Sequence, residues 1–132
     1  MTEVYVDGSY TVKNPGVVGW GYKSATLEKH GDLTGDITSM HQVGGELKAT
    51  MEAIKDLSNS GESSITILYD YEGVAQWANG SWRAKNEWTR AYQAFIREAR
   101  SKGLTINFVK VDAGANPADE LARRATGAAY AH

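Results

Sequence analysis

Residues 64–70 read Ser-Ile-Thr-Ile-Leu-Tyr-Asp, a short apolar run that ends on an acid. Its length and its β-branched residues predict a buried strand. Helical patterns flank this strand on both sides. Before it, apolar residues at positions 47, 51, 54 and 57 predict a helix that ends near the Ser-Asn-Ser-Gly of 58–61. After it, residues 71–78 have room for two helical turns before Asn79-Gly80. A strand between helices is typical of an α/β fold.

Upstream, residues 1–39 predict an antiparallel meander of three strands. Val4 and Val6 alternate with polar neighbours in a first strand that stops at Asp7-Gly8. We place the second strand at 17–27 and the third at 32–39. Asn14-Pro15-Gly16 predicts the first turn, and Lys29-His30-Gly31 predicts the second.

Downstream, the pattern continues as helix, strand, helix. Apolar residues from Trp88 to Ala99 predict a long helix that Asn86 caps, and residues 104–111 predict a fifth strand. The final helix has Asn116 as its cap and Pro117 in its first position. The prediction is therefore an α/β fold with a mixed five-stranded sheet, an antiparallel meander plus parallel strands, flanked by helices in a single domain over residues 1–132.

Composition excludes several kinds of chemistry. The chain of 132 residues contains no cysteine, so disulfides, thiolate metal sites and thiol nucleophiles are excluded. The formal net charge of -2 does not decide the partner, because a local basic patch can still bind nucleic acid. The N-terminus has no signal-peptide pattern and no apolar run approaches the length of a bilayer span, so we expect a soluble, cytoplasmic protein.

Acids stand where ligands usually bind in open α/β sheets. Asp7 and Asp70 end their predicted strands, and such strand ends lie side by side when the strands are parallel neighbours. Glu46 and Asp119 lie in the first turns of predicted helices and could join them. Four carboxylates without cysteine or a histidine cluster describe a site for hard cations, Mg²⁺ or Mn²⁺.

Each acid also has a simpler explanation. Asp7 could make a turn, Asp70 could cap the next helix, Glu46 could favour the helix dipole, and Asp119 could belong to a capping arrangement. Only the four together favour a metal site. Two metal ions held roughly 4 Å apart by shared carboxylates can activate water and stabilise the leaving oxygen of a phosphodiester, so phosphoryl transfer is the leading reaction class.

Four segments, in this order and at this spacing, resemble the ribonuclease H type 1 family. They are YVDGSY…NPG, GGELKATMEAI, ILYDYEGV and NPADELARRA, spread over essentially the whole chain. The stretch YDYEGVAQWANGSWRAKN is most similar to the bacterial branch related to viroplasmin/ribonuclease H domain proteins. The resemblance implies a ribonuclease H-like fold and a monomeric endoribonuclease. It would hydrolyse the RNA strand of RNA/DNA hybrids and leave 3′-hydroxyl and 5′-phosphate ends.

The same resemblance implies roles for individual residues. Two Mg²⁺ ions, which Mn²⁺ could replace, would be held by the catalytic acids Asp7, Glu46, Asp70 and Asp119. Gly8 would let the substrate backbone approach closely. The remaining substrate-binding residues would be Ser9, Asn14 and Gln42 at the hybrid's minor groove, and Trp82, Arg83 and Lys85 along the DNA strand. Turn chemistry for Ser9 and Asn14, and a solvated face for Arg83 and Lys85, stay open as alternatives.

Two departures from the family pattern bear on activity. The segment KVDAGANPADELA is shortened and lacks the histidine that many members carry before the last acid. Asp112 begins this loop and would take the place of Asp119 if the alignment shifts, although a turn role fits it better. The basic protrusion of some relatives is also abbreviated, so we expect modest, salt-dependent affinity for the hybrid.

Two other functions stay open. The altered loop would suit a hybrid-binding module with weak or no catalysis. Another nuclease on the same fold, such as a junction resolvase or a transposase-type domain, is the third possibility. Four acids packed against a polyanion would not help a pure binding module, so catalysis is the main hypothesis.

Overall fold

The computed structural model of this protein describes residues 1–11 and 17–126. Five strands form one sheet in the spatial order β3-β2-β1-β4-β5. In chain order the elements are β1 (Thr2–Tyr10), β2 (Val18–Ser24), β3 (Glu28–Leu33), α1 (Gln42–Asn59), β4 (Ser64–Tyr69), α2 (Gly73–Ala78), α3 (Glu87–Ser101), β5 (Thr105–Lys110) and α4 (Ala118–Ala125). Short 3₁₀ turns lie at Asp36–Met40 and Ala113–Ala115.

The sheet is mixed, as the sequence predicts. Strand β2 runs antiparallel to both β1 and β3, whereas β4 runs parallel to both β1 and β5. The connections from β1 to β4 and from β4 to β5 pass through helices, as parallel neighbours require. The α/β fold with an antiparallel meander and parallel strands is therefore confirmed.

Helices cover the sheet on its two faces. The main core, which includes Val4, Ile67 and Tyr92, lies between the sheet and the helices α1, α2 and α3. Helix α4 packs on the opposite face, against β1, β2 and β3, and buries Leu121 there. Among the described residues, no helix combines the length and apolar character needed to cross a bilayer.

The meander differs from its prediction at two places. Strand β1 runs through Asp7-Gly8 to Tyr10, because its pairing with β2 continues to the Tyr10–Val18 pair. The second reversal comes early: Ser24 Oγ accepts a hydrogen bond from the Leu27 N–H, and Lys29-His30-Gly31 lies inside β3. A Cβ on Gly31 would lie 2.6 Å from the Trp20 ring, so tertiary packing holds this polar strand. The predicted turn at Asn14-Pro15-Gly16 lies outside the described residues.

The helices follow their predicted patterns closely. Helix α1 ends at Asn59, and α3 begins after Asn86, whose side chain accepts a hydrogen bond from Thr89 in a capping box. At α4 the side-chain oxygen of Asn116 accepts a hydrogen bond from the Ala118 N–H, and Pro117 stands just before the first helical residue. The caps that the sequence predicts are thus present within one residue.

Candidate metal centre and nucleic-acid surface

Three of the predicted acids converge at one edge of the sheet. Asp7, Glu46 and Asp70 each offer a carboxylate oxygen, and these oxygens all lie within 4.8 Å of one another. We call these residues the acid cluster. The register of the central strands accounts for the first pair. Tyr5 of β1 pairs with Leu68 of β4. Two residues later come Asp7, within β1, and Asp70, just after β4.

Glycines bring the third acid to the cluster. A Cβ on Gly8 would collide with the carbonyl oxygen of Gln42, and a Cβ on Gly45 would collide with that of Gly19. The first turn of α1 therefore rests directly on the backbones of β1 and β2. Glu46 follows Gly45 in that turn, so this close approach carries its carboxylate to Asp7.

Gly8 also has a packing role that the sequence does not indicate. The space that a side chain at this position would occupy is filled by the backbone of α1, since a Cβ on Gly8 would lie 2.5 Å from the Glu46 nitrogen. Gly8 is also buried. Gly8 therefore admits α1 to the sheet, and its contact with substrate stays a prediction.

Burial and mutual repulsion act on the two most enclosed acids. Burial, with the charge of Asp70 next, raises the pKa of Asp7 to about 7, although the Gly8 N–H bond to its carboxylate opposes the shift. Burial, followed by the charges of Asp7 and Asp70, raises the pKa of Glu46 to about 9. Asp7 and Glu46 are each only 5% exposed. Among the described residues, no lysine or arginine forms an ion pair with the acid cluster.

The donor set fits a hard divalent cation. The buried Glu46 Oε2 has no hydrogen-bond partner among the described residues, which is costly for a carboxylate oxygen. A cation among three carboxylates would satisfy this oxygen and cancel the repulsion that raises the pKa values. Oxygen ligands alone favour Mg²⁺, Mn²⁺ or Ca²⁺ over softer metals.

Asn116, just before α4, donates hydrogen bonds to the acid cluster and to the backbone beside it. Its Nδ2 donates to the Val6 carbonyl and to Asp70 Oδ2, both at 2.8 Å, and the residue is 5% exposed. The amide therefore joins the backbone before Asp7, the Asp70 carboxylate and the start of α4. Sequence reasoning identified Asn116 only as a helix cap. The cap signal was correct, but nothing local in the sequence indicates the two distant acceptors.

Asp119 adjoins the acid cluster without belonging to the compact group of three. Its charge, and a hydrogen bond, contribute to the raised pKa of Asp7, so the two side chains are close. Asp119 Oδ2 also lies 3.5 Å from Arg123 Nη1, and its side chain is 46% exposed. Asp112 is exposed at the start of the Ala113–Ala115 turn and is outside the acid cluster.

Two of the predicted minor-groove residues lie next to the acids. Ser9 is half-buried on β1, two residues beyond Asp7, and the exposed Gln42 begins α1. Beside them, the rings of Tyr10 and His41 stack with centroids 4.5 Å apart, a contact that sequence reasoning did not find. Asn14 lies outside the described residues.

The residues that are predicted to contact the DNA strand lie in or beside a group of aromatic rings. Trp82 meets Trp77 edge to face, with ring centroids 5.3 Å apart, and both contact Tyr71. Arg83 and Lys85 are exposed on the loop that follows. A cavity of about 510 Å³ is lined by Trp77, Trp82, Arg83 and Lys85. Trp77 and Trp88 are half-buried, so each combines packing with exposed ring surface.

Neither a protein-family model nor a curated protein sequence matches the chain. Solved structures do. RNase H1 from the halophilic archaeon Halobacterium salinarum NRC-1 is 22% identical with a TM-score of 0.77, and the match covers 96% of this chain and 97% of that one. LC11-RNase H1 in complex with RNA/DNA hybrid is 20% identical with a TM-score of 0.80, over 99% of this chain and 100% of that one.

A third match is the N-terminal RNase H domain of rv2228c from Mycobacterium tuberculosis, studied as a fusion with maltose binding protein. It is 21% identical with a TM-score of 0.73, and the match covers 98% of this chain and 97% of that one. Archaeal and bacterial proteins thus share this architecture. At such identities the likeness establishes the arrangement of helices and strands. This chain has the ribonuclease H fold.

Proposed function

We propose that this protein is a metal-dependent endoribonuclease that hydrolyses the RNA strand of RNA/DNA hybrids. The observation that carries the proposal is the acid cluster, three carboxylates within 4.8 Å at the junction of β1, β4 and α1. Two of them, Asp7 and Glu46, are buried, and neither forms an ion pair with a lysine or arginine of the described residues. Such an arrangement destabilises the protein unless cations bind there, so it points to a metal-dependent reaction rather than to structure. The likeness to RNase H1 structures, one of them with a hybrid, supports the substrate.

Asp7, Glu46 and Asp70 would hold the metal, with Asp119 completing the site beside Asp7. We infer Mg²⁺ as the physiological ion, two ions as the stoichiometry and Mn²⁺ as a substitute, because every donor is a carboxylate oxygen. When bound, a pair of such ions activates water and stabilises the leaving oxygen of a phosphodiester.

The chain's own contribution is to position these oxygens before substrate arrives. The β1–β4 register sets Asp7 beside Asp70, and the glycine contacts of α1 set Glu46. Asn116 fixes one oxygen of Asp70 by donating to it, so this carboxylate does not have to reorder during the reaction. The more exposed Asp119 borders the solvent side, where a phosphate group would enter.

Substrate selection would use the surfaces on the two sides of the acid cluster. Telling RNA from DNA requires contacts to 2′-hydroxyls, and Ser9 and Gln42 present a hydroxyl and an amide close to Asp7 and Glu46. On the other side, Trp82, Arg83 and Lys85 offer ring surface and positive charge to the DNA strand. We further propose that the products carry 3′-hydroxyl and 5′-phosphate ends.

The test is cleavage of a hybrid with a labelled RNA strand, in Mg²⁺, in Mn²⁺ and in EDTA. Asp70→Asn keeps the size of the side chain but removes a charged ligand. We expect the cleavage rate to fall by more than roughly 100-fold. Removing an outer-shell partner of a metal site costs up to that factor, and Asp70 is proposed as a direct ligand. Glu98→Gln, on the exposed surface of α3, is the matched control and should cut like the wild type.

The outcomes separate the candidate functions. Cutting that EDTA abolishes and that Asp70→Asn lacks supports the proposal. Hybrid binding without any cutting would instead indicate a binding module. Equal activity in Asp70→Asn and the wild type would remove the acid cluster from the reaction altogether.

A further inference from the structure

A groove lies outside the acid cluster, between the end of α2 and the outer side of α3. Its volume is about 830 Å³. We call it the arginine groove, because its walls include Arg83, Arg90, Arg97 and Arg100 together with Trp77 and Trp82. Among the residues the structure describes, no aspartate or glutamate lines it.

Three of the arginines form a stripe along α3. Arg90, Arg97 and Arg100 are separated by seven and three residues, which places them on one face of the helix. With a rise of about 1.5 Å per residue, the stripe spans about 15 Å. None of these residues belongs to the motifs that predict hybrid cleavage.

These guanidinium groups have no acidic partners in the described part of the chain. Arg83, Arg90 and Arg97 form no ion pair there, although the whole chain has 16 acidic and 14 basic residues. Arg100 donates to Asn79 Oδ1 at 3.4 Å and to the Ile106 carbonyl at 2.6 Å, and neither acceptor carries a charge. Four neighbouring cations without a counter-charge repel one another and attract an extended anion.

The groove adjoins the acid cluster through the aromatic group. Tyr71 directly follows Asp70 and contacts Trp77 and Trp82, which form the near wall of the arginine groove. Helix α2, which is six residues or about 9 Å long, begins three residues after Asp70 and ends at Ala78 in the groove wall. A strand that leaves the acid cluster along this side meets the arginines next.

We propose that the arginine groove binds a single-stranded nucleic acid segment that flanks the hybrid. This inference rests on the proposed function for the identity of the adjoining duplex. At the 3.4 Å step of a duplex strand, a stripe of about 15 Å corresponds to at most about four nucleotides, and an extended single strand places fewer along it. Guanidinium forks bind phosphate in bidentate fashion, and half-buried tryptophans offer ring faces on which bases stack. An acidic peptide would use the cations but would leave those ring faces unused.

The test compares a blunt hybrid with the same hybrid carrying a single-stranded DNA extension of about eight nucleotides. Binding is followed by fluorescence anisotropy in EDTA, so that cleavage does not contribute. The variant is Arg90→Gln with Arg97→Gln. The matched control is Lys55→Gln with Lys102→Gln, which removes the same charge from exposed positions outside the groove.

We expect the wild type to bind the extended hybrid about tenfold more tightly than the blunt one, which corresponds to about 1.4 kcal/mol. The arginine variant should lose most of this difference, and the lysine control should keep it. The slope of log K against log salt for the extended hybrid should also become shallower by about 1.4 in the arginine variant. Two phosphate contacts are removed, and each single-strand contact contributes roughly 0.7 to the slope.

Equal affinity of the wild type for both hybrids would overturn the inference, as would an equal loss in the lysine control. Stronger competition by polyglutamate than by a free oligonucleotide would overturn it in favour of an acidic protein partner. Cleavage of the blunt hybrid in Mg²⁺ is measured on the same proteins. If none of them cuts but the free oligonucleotide still binds through the arginines, the proposed function is contradicted and the binding of single strands in the arginine groove is supported.

Discussion

At the scale of single residues, Asn116 supports the acid cluster from a position far away in sequence. Its side-chain NH₂ donates both to Asp70 and to the Val6 carbonyl, and the residue is buried. Asn116→Ala should therefore lower the free energy of unfolding by about 1–3 kcal/mol, because it leaves a buried carbonyl without a donor. It should also weaken metal binding by roughly 10–100-fold, as removal of an outer-shell partner does.

Urea unfolding and Mg²⁺ titration check this prediction. Asn107→Ala, at an exposed position of β5, is the control and should change neither quantity. An Asn116→Ala protein that loses stability but binds metal with wild-type affinity would show that Asn116 is structural only. The sequence marks this residue as a helix cap. Its second role depends on a contact with a residue 46 positions away, which local patterns do not reveal.

The acids themselves predict an unusual dependence of stability on pH. The folded state raises the pKa of Asp7 to about 7 and of Glu46 to about 9, above the ordinary carboxyl values. A raised pKa means that the folded state favours the protonated form. The associated stability is present below about pH 4 and is lost as the pH rises through 7 and 9.

In EDTA, the melting temperature should therefore fall between pH 5 and pH 9. Glu46→Gln removes the group with the higher of the two pKa values and should flatten this fall. Saturating Mg²⁺ should reverse it in the wild type, since the cation stabilises the ionised carboxylates. Thermal melts followed by circular dichroism are sufficient for all three comparisons, and a wild-type melting temperature that rises over this range in EDTA would contradict the account.

At the scale of elements, the contact between α1 and the sheet determines where Glu46 lies. A Cβ on Gly8 would collide with the α1 backbone, so Gly8→Ala must push the helix away. We expect a loss of about 1–3 kcal/mol in the free energy of unfolding, the usual cost of overpacking, together with reduced cleavage. Gly114→Ala is the matched control, because a Cβ there would meet nothing within 4 Å. Equal stability of the two variants would show that α1 adapts without cost.

Element prediction succeeded where the signals were local. The apolar stripe of α1, the Asn86 cap of α3 and the apolar run of β4 all lie where the sequence indicates. It failed at β3, whose polar residues suggest a turn. That strand is held by pairing with β2 and by the packing of Gly31 on Trp20, and both are tertiary effects. The packing role of Gly8 was missed for the same reason, since its neighbour in space is a helix 34 residues or more along the chain.

At the scale of the whole molecule, the separation of charge matters more than the net charge of -2. The acid cluster lies at one edge of the sheet, and the arginine groove lies beside it. Hybrid affinity should accordingly decrease steeply with salt, by about 0.9 in log K per log unit of salt for each duplex phosphate contact. Anisotropy titrations between roughly 50 and 200 mM salt check this prediction. An affinity that does not change with salt would exclude the basic surface from substrate binding.

The fold and the acids were within reach of sequence analysis because strand-end acids and helix first turns are local features. The closeness of Asp7, Glu46 and Asp70 required the β1–β4 register and the glycine contacts. The sequence predicts nucleic-acid contacts for Trp82 and Arg83 but not the arginine groove itself, because its residues are spread over 77–100 and combine only when α2 and α3 pack together.

The decisive measurement is the rate of strand cleavage in Mg²⁺ on one sequence prepared as RNA/DNA hybrid, duplex RNA and duplex DNA, with each strand labelled in turn. We expect that only the hybrid is cut, at internal positions of its RNA strand, and that EDTA stops the reaction. Cleavage of duplex DNA, or cleavage of the hybrid that continues in EDTA, would contradict this expectation.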